Sequence, residues 1–381
     1  MTETSKTKRF FWIILILGLI IRLVLAYFQY SGDIKNHFVW GNGFLDNPID
    51  FYSRHFPGYN DPNYPPLAII FFATANLLYQ AFSGLLLFFN RTFSFFPSFL
   101  VPLITHENMR YAFLKLPGII ADIFTFTIIY KFLTKQKSKR PLLLAGLYLF
   151  NPAVIYISSV WGQIEPITNL FLVWSLYLAV YSPLRYFSIL VFALGVLTKQ
   201  TTLWFGPLYL ILWLKQLTKD EVFRGLVLSL GAFFASFLLF KIGPGSAIGI
   251  YFQTLSGSSS LVSDAAWNIW HFIFPIGTED SVLLGGISVR TISIAALLIS
   301  LGYFLFKELK NFSIPRFLNH LFIWSLLVFF IQTRVHERHL APAILFCLLT
   351  PGLFSRYLLD FFALSAYHMY NLYWSLRLLF I

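Results

Sequence analysis

From Phe10 to Tyr30 the chain is apolar, with Arg22 as its only charge. About 20 apolar residues suffice for a helix to cross the ~30 Å hydrocarbon core of a bilayer. The run is too long for a secretory signal and no small-residue cleavage site follows it, so it reads as a permanent first span. Similar runs recur to the end of the chain. Only 12% of the residues are charged, half of the roughly 25% that soluble domains carry. Within a bilayer only helices or closed barrels satisfy their own backbone groups. The expected fold class is therefore all-α, a polytopic transmembrane helix bundle.

The net charge of +12 does not point to nucleic acid, because the basic residues fall in short clusters between apolar runs. These are Lys6–Arg9, Lys131–Arg140, Lys215–Arg224 and Lys307–Arg316, the pattern of cytoplasmic loops. The N-terminus is then inside and Ser31–Pro66 forms a long first external loop. Its acids and aromatics, among them Asp33, Trp40 and Tyr64, predict an ordered loop lying on the membrane. Further spans are expected near 67–91, 111–132, 142–160, 166–181, 186–197, 203–214, 223–242, 287–306, 317–331 and 340–354. Parity asks the short run Phe93–Ile104 to cross or insert as well. The total is about twelve crossings in one domain, residues 1–381, with an apolar segment after Arg356. Cys347 is the single cysteine, so neither a disulfide framework nor a cysteine metal site can be built.

This topology gathers four polar clusters on the outer side. Asp33, just past the first span, is either a general base for a hydroxyl group or a solvated acid that ends the helix. Asn63-Tyr64-Pro65-Pro66 is a rigid entry to the next span, or merely an interfacial helix start. Trp161-Gly162-Gln163-Ile164-Glu165 offers an indole to stack on a sugar and polar groups for its hydroxyls, or is an ordinary interfacial turn. Lys199-Gln200 and Arg334-Val335-His336-Glu337-Arg338-His339 place cations on the side that the positive-inside rule disfavours. Arginine forks match phosphate oxygens; the bland alternatives are a snorkelling lysine and an exposed basic turn. Lys115 and Asp122, seven apart, read as structural partners of neighbouring helices. No nucleotide-binding glycine loop or zinc-type histidine pair is present.

In order, Gly32-Asp33, Tyr64-Pro65-Pro66-Leu67, Lys199-Gln200 and His336-Glu337-Arg338 resemble the GT-C glycosyltransferases over about residues 10–345. The chain looks most like the dolichyl-phosphate-glucose glucosyltransferases of N-glycan assembly. In Trp161-Gly162-Gln163 and His336-Glu337-Arg338 it also resembles bacterial relatives of GPI mannosyltransferase II. The resemblance implies a catalytic base at Asp33 and a donor lipid phosphate beside His336 and Arg338, supported by Arg334 and Lys199. Trp161, Gln163, Glu165, Gln200, Tyr64 and Trp40 would then serve the sugar and the acceptor. It further implies a polyprenyl-phosphate-linked sugar donor, a glycolipid or glycan acceptor, inversion at the anomeric carbon, no cofactor and no metal. The sequence departs from the family in having Glu165 for an aspartate and His339 for a tyrosine.

Two other functions fit a bundle of this kind: a transporter or flippase of lipid-linked sugars, and a polysaccharide polymerase using lipid-diphosphate donors. The expected location is the plasma membrane of a prokaryote, or the endoplasmic reticulum in a eukaryote.

Overall fold

Nearly every apolar run becomes a helix, the form that satisfies a backbone where water is absent. A computed structural model describes residues 3–28, 30–255, 259–350 and 358–378. In chain order the helices are α1 (Glu3–Phe28), α2 (Asp33–Asp46), α3 (Pro66–Thr92), α4 (Leu100–Thr105), α5 (Glu107–Lys135), α6 (Pro141–Leu149), α7 (Pro152–Ile155), α8 (Glu165–Tyr181) and α9 (Phe187–Thr198). There follow α10 (Gly206–Gln216), α11 (Lys219–Leu238), α12 (Pro244–Leu255), α13 (Ile269–Ile273), α14 (Val289–Lys310), α15 (Ile314–Ile331), α16 (Ala341–Leu349) and α17 (Leu358–Leu378). Among the described residues the only sheet is a hairpin of β1 (Leu283–Leu284) and β2 (Ile287–Ser288).

Among the described residues six helices are long and apolar enough to cross a membrane: α1 from Lys6 onward, α3, α5, α11, α14 and α15. A seventh arises if α6 and the segment Pro152–Trp161, bent by 45°, count as one span. The sequence suggested about twelve. The difference lies in the run 93–104 and in α6, α8, α9, α10 and α16, helices of 9, 17, 12, 11 and 9 residues that reach only about 14–26 Å at 1.5 Å per residue. Irregular turns continue some of them: a π-helical turn at Tyr156–Trp161 and 3-10 turns at Gln200–Phe205 and Glu337–Leu340. Such backbone is tolerated at membrane depth where protein buries it or a cavity adjoins it. Part of the last expected span and the start of the segment after Arg356 lie outside the described residues.

The first external loop is partly helical, since α2 occupies 14 of its residues. Phe93–Ile104 contains no crossing, because α4 has six residues, about 9 Å of helix. The path of α3 explains why none is needed. Near its start, Phe72 stacks on His37 of α2 at 4.1 Å, and Asn76 donates to Phe38 O at 3.0 Å. Its middle meets the first turns of α5, with Tyr79 and Phe113 at 5.7 Å and Tyr79 OH donating to Ile104 O at 3.3 Å. These turns of α5 also adjoin the end of α1: Tyr30 OH donates to Glu107 at 2.7 Å, and Lys115 Nζ to Ala26 O at 3.0 Å. At the other end Phe11 stacks on Phe126 at 5.1 Å, so α1 and α5 are antiparallel.

Helices in lipid gain little from apolar burial alone and associate through close packing and buried polar pairs. Both devices hold this bundle. A Cβ on Gly18 would sit 2.5 Å from Leu149 Cδ2, and one on Gly225 would sit 2.7 Å from Tyr186 O. Arg22, wholly buried, pairs with Asp122 at 3.1 Å, and Tyr148 OH donates to the same carboxylate at 3.0 Å. Helix α16 runs through the middle of the main core, nearly every side chain buried. The end remote from Asp33 is clasped by basic residues. Lys215 Nζ donates to Leu309 O at 3.0 Å, and Glu308 of α14 meets Arg316 and His320 of α15 at 3.4 and 2.7 Å.

Candidate active site

Asp33 is the first residue of α2, and the turn before it is pinned by Ser31 Oγ donating to Trp161 O at 2.9 Å. Gly162 makes the approach possible. Its φ is +81°, a conformation that favours glycine, and a Cβ there would lie 2.7 Å from Ile34 Cδ1. The chain thereby turns both neighbours of Gly162 toward one oxygen. Trp161 Nε1 donates to Asp33 Oδ2 at 3.1 Å, and Gln163 Nε2 donates to the same oxygen at 2.5 Å. Burial pushes the Asp33 carboxyl up, but the Arg338 charge and these two hydrogen bonds help to outweigh it and hold it below its ordinary value. It is therefore ionised at neutral pH.

Across from it lies a buried ion cluster. Glu165, which opens α8, takes Lys199 Nζ and Arg338 Nε on one oxygen, the latter at 3.1 Å. Arg338 Nη1 reaches Glu337 at 2.9 Å. With Asp33, three carboxylates and two cations are gathered from four separate segments of the chain. Arg334 is engaged elsewhere: Nε and Nη2 grip Asp280 at 2.7 and 3.2 Å. His336 Nε2 lies 3.5 Å from Asp264. Burial, with Arg338 and Lys199 nearby, pushes the His336 imidazole well below its ordinary value. It is neutral, so what it offers an anion is an N–H rather than a charge.

These groups bound a cavity of about 460 Å³, within the usual range for small-molecule sites. It is lined by Asp33, His37, Trp40 and Tyr64 together with Lys199, Arg334, His336, Arg338 and His339. The segment 259–268 covers the Arg334–His336 turn, with Asp264 N donating to Val335 O at 3.1 Å and Arg334 N to Leu261 O at 3.0 Å.

The eleven side chains singled out in the sequence thus fall at one end of the bundle, in different positions. Trp161, Gln163 and Glu165 are 1%, 3% and 3% exposed and stand behind the cavity wall, where they hold Asp33, Lys199 and Arg338. A sealed indole presents no face to a sugar, which corrects the stacking role expected of Trp161. Gln200 clips two loops together, donating to Asn63 O at 2.8 Å and Thr254 O at 2.5 Å. Tyr64 sits under Lys199, whose Nζ is 5.3 Å from the ring centroid, and Trp40 Nε1 donates to Asn60 O at 2.7 Å.

Sequence reasoning missed His37, Asp264 and Asp280, and named Glu337 only as a balancing charge. His37 follows Asp33 by four residues, a same-face signal on a helix that carried no meaning while the segment read as a loop. Burial pushes its imidazole down to about 4. Asp264 and Asp280 are tied to their partners only by folding, and no sequence signal marks them. Among the described residues no three His, Cys, Asp or Glu side chains gather as a metal site. No family model matches the sequence, and no curated protein matches it.

Proposed function

We propose that the chain is a membrane glycosyltransferase of GT-C type. It would move a hexose, mannose or glucose, from a polyprenyl-phosphate carrier to a hydroxyl of a glycolipid or glycan. The observation that carries this reading is an ionised carboxylate, fixed by two N–H donors, lining one polar cavity together with Lys199 and Arg338. Asp33 takes the proton of the acceptor hydroxyl, whose oxygen attacks the anomeric carbon. The bond from that carbon to the phosphate oxygen breaks, and its electron pair leaves on the lipid phosphate. Inversion follows from the single displacement. Preorganised cations facing the leaving oxygen stabilise the charge that grows there, a role for Arg338 and Lys199 with an N–H from His336. Glu165 keeps both cations poised and neutralised until phosphate competes for them.

The basic clusters Lys131–Arg140, Lys215–Arg224 and Lys307–Arg316 follow the ends of helices that lead away from the cavity, which by the positive-inside rule supports a site on the non-cytoplasmic face. A plasma membrane of a prokaryote is the compartment we propose.

The test is transfer by purified full-length protein in detergent with EDTA, offering radiolabelled polyprenyl-phosphate-mannose and polyprenyl-phosphate-glucose with a crude glycolipid extract. Transfer that persists in EDTA and falls by about 10²–10⁴-fold in Asp33→Asn, the worth of a general base, is the expected result. A preference for diphosphate-linked donors would favour a polymerase. Near-normal turnover in Asp33→Asn would remove Asp33 from the mechanism.

A further inference from the structure

One polar group beside Asp33 has no work in the mechanism above. His37 lies one turn along α2, 2% exposed, on the wall of the same cavity. Its ring is stacked flat on Phe72, 4.1 Å between centroids and 9° between planes, with Trp40 and Tyr64 at 6.1 and 5.9 Å. Phe72 thus covers one face of the imidazole, and His37 lines the cavity. Its Nδ1 is buried without a hydrogen-bond partner among the described residues, whereas buried polar atoms are normally paired. Asn63 Oδ1, of a residue lining the same cavity, is likewise buried and unpartnered among the described residues.

We propose that His37, with Asn63 beside it, binds the acceptor by holding a hydroxyl next to the one that Asp33 activates. Side chains four apart on a helix stand about 5–6 Å apart at Cβ. That spacing lets a carboxylate and an imidazole each reach one of two neighbouring hydroxyls on a single sugar ring. An imidazole that burial keeps neutral, at about 4, suits an uncharged hydroxyl and leaves the carboxylate's charge uncompensated by proton transfer from the histidine. His37 is in this sense a specificity residue for the acceptor and not for the donor. The assignment rests on the transferase reading and deepens its acceptor side.

Initial rates for wild type, His37→Phe and His37→Gln would be measured in the same assay, varying acceptor and donor separately. The acceptors are the crude glycolipid extract, octyl mannoside and octyl glucoside. His37→Phe keeps the stack on Phe72 and removes both nitrogens. It should raise the acceptor KM by about tenfold, the order of one hydrogen bond, with donor KM and Tm unchanged. His37→Gln, which restores a polar edge, should recover part of that loss. An unchanged acceptor KM in His37→Phe overturns the proposal, as does a parallel rise in both KM values with a lowered Tm, which marks a structural role. Absence of transfer by the wild-type protein from either donor to any acceptor overturns the transferase reading itself, and this assignment with it.

Discussion

Glu165 binds two buried cations on one oxygen, while its other oxygen is buried without a partner among the described residues. Removing one partner of such a cluster strands charge in a medium that solvates it poorly, at a cost of about 3–5 kcal/mol. Glu165→Gln should therefore lower Tm in detergent sharply, and adding Lys199→Met should restore part of the loss. An unchanged Tm in the single variant would show that the cluster is not held as described. His37 makes a second residue-level prediction. Its folded pKa is depressed to about 4 from 6.5, so between those values the unfolded chain binds a proton that the folded chain refuses. Stability is then fully present above about pH 6.5 and falls as pH drops toward 4, by at most about 3 kcal/mol from this group. A Tm profile over that window should be flatter in His37→Phe than in wild type; identical profiles would contradict the assignment of the depressed imidazole.

Helix α3 shows how an element can have the composition of a span and another path. By length and hydropathy it qualifies to cross a bilayer. Yet its start lies on α2 and its middle on the first turns of α5, beside the end of α1. Beyond Asn76 it buries no residue, and Leu77, Leu78, Leu85 and Phe88 are exposed. We infer that it lies along the outer membrane surface with this apolar stretch in the lipid. Cysteine mapping tests this with little background, since Cys347 is the only cysteine and is buried. Ser94→Cys should react with an impermeant thiol reagent from the same side as Asn60→Cys, and Lys137→Cys only from the opposite side. Labelling of Ser94→Cys together with Lys137→Cys would establish α3 as a crossing.

For the whole molecule, a surface path for α3, with no crossing in 93–104, would remove the parity problem that the sequence posed. Helices α1 and α5 then form an adjacent antiparallel pair, and the basic clusters at Lys6–Arg9 and Lys131–Arg140 fall on one side without an added span. The two ends of the bundle differ in kind. One end holds short helices broken by π and 3-10 turns around a cavity; the other is tied by ordinary cationic clasps. Helix α17 joins the covering segment to the site. Asn371 accepts from Trp267 N at 3.1 Å and donates to Glu337 O at 3.3 Å, so the strap over the cavity and the turn bearing Arg338 are held by one side chain.

Helical class, the start of α3 at Pro66 and the grouping of the polar clusters at one end were all legible in the sequence. Hydropathy and proline geometry act over a few residues and need no partner to be read. The role of each polar residue was not legible, because charge pairing joins residues with no relation along the chain: Arg338 meets Glu165 across 173 positions, and Trp161 meets Asp33 across 128. Local composition set which segments would leave water. Tertiary packing alone decided which cations were already neutralised, which indole was sealed behind the site, and which histidine came to stand beside Asp33.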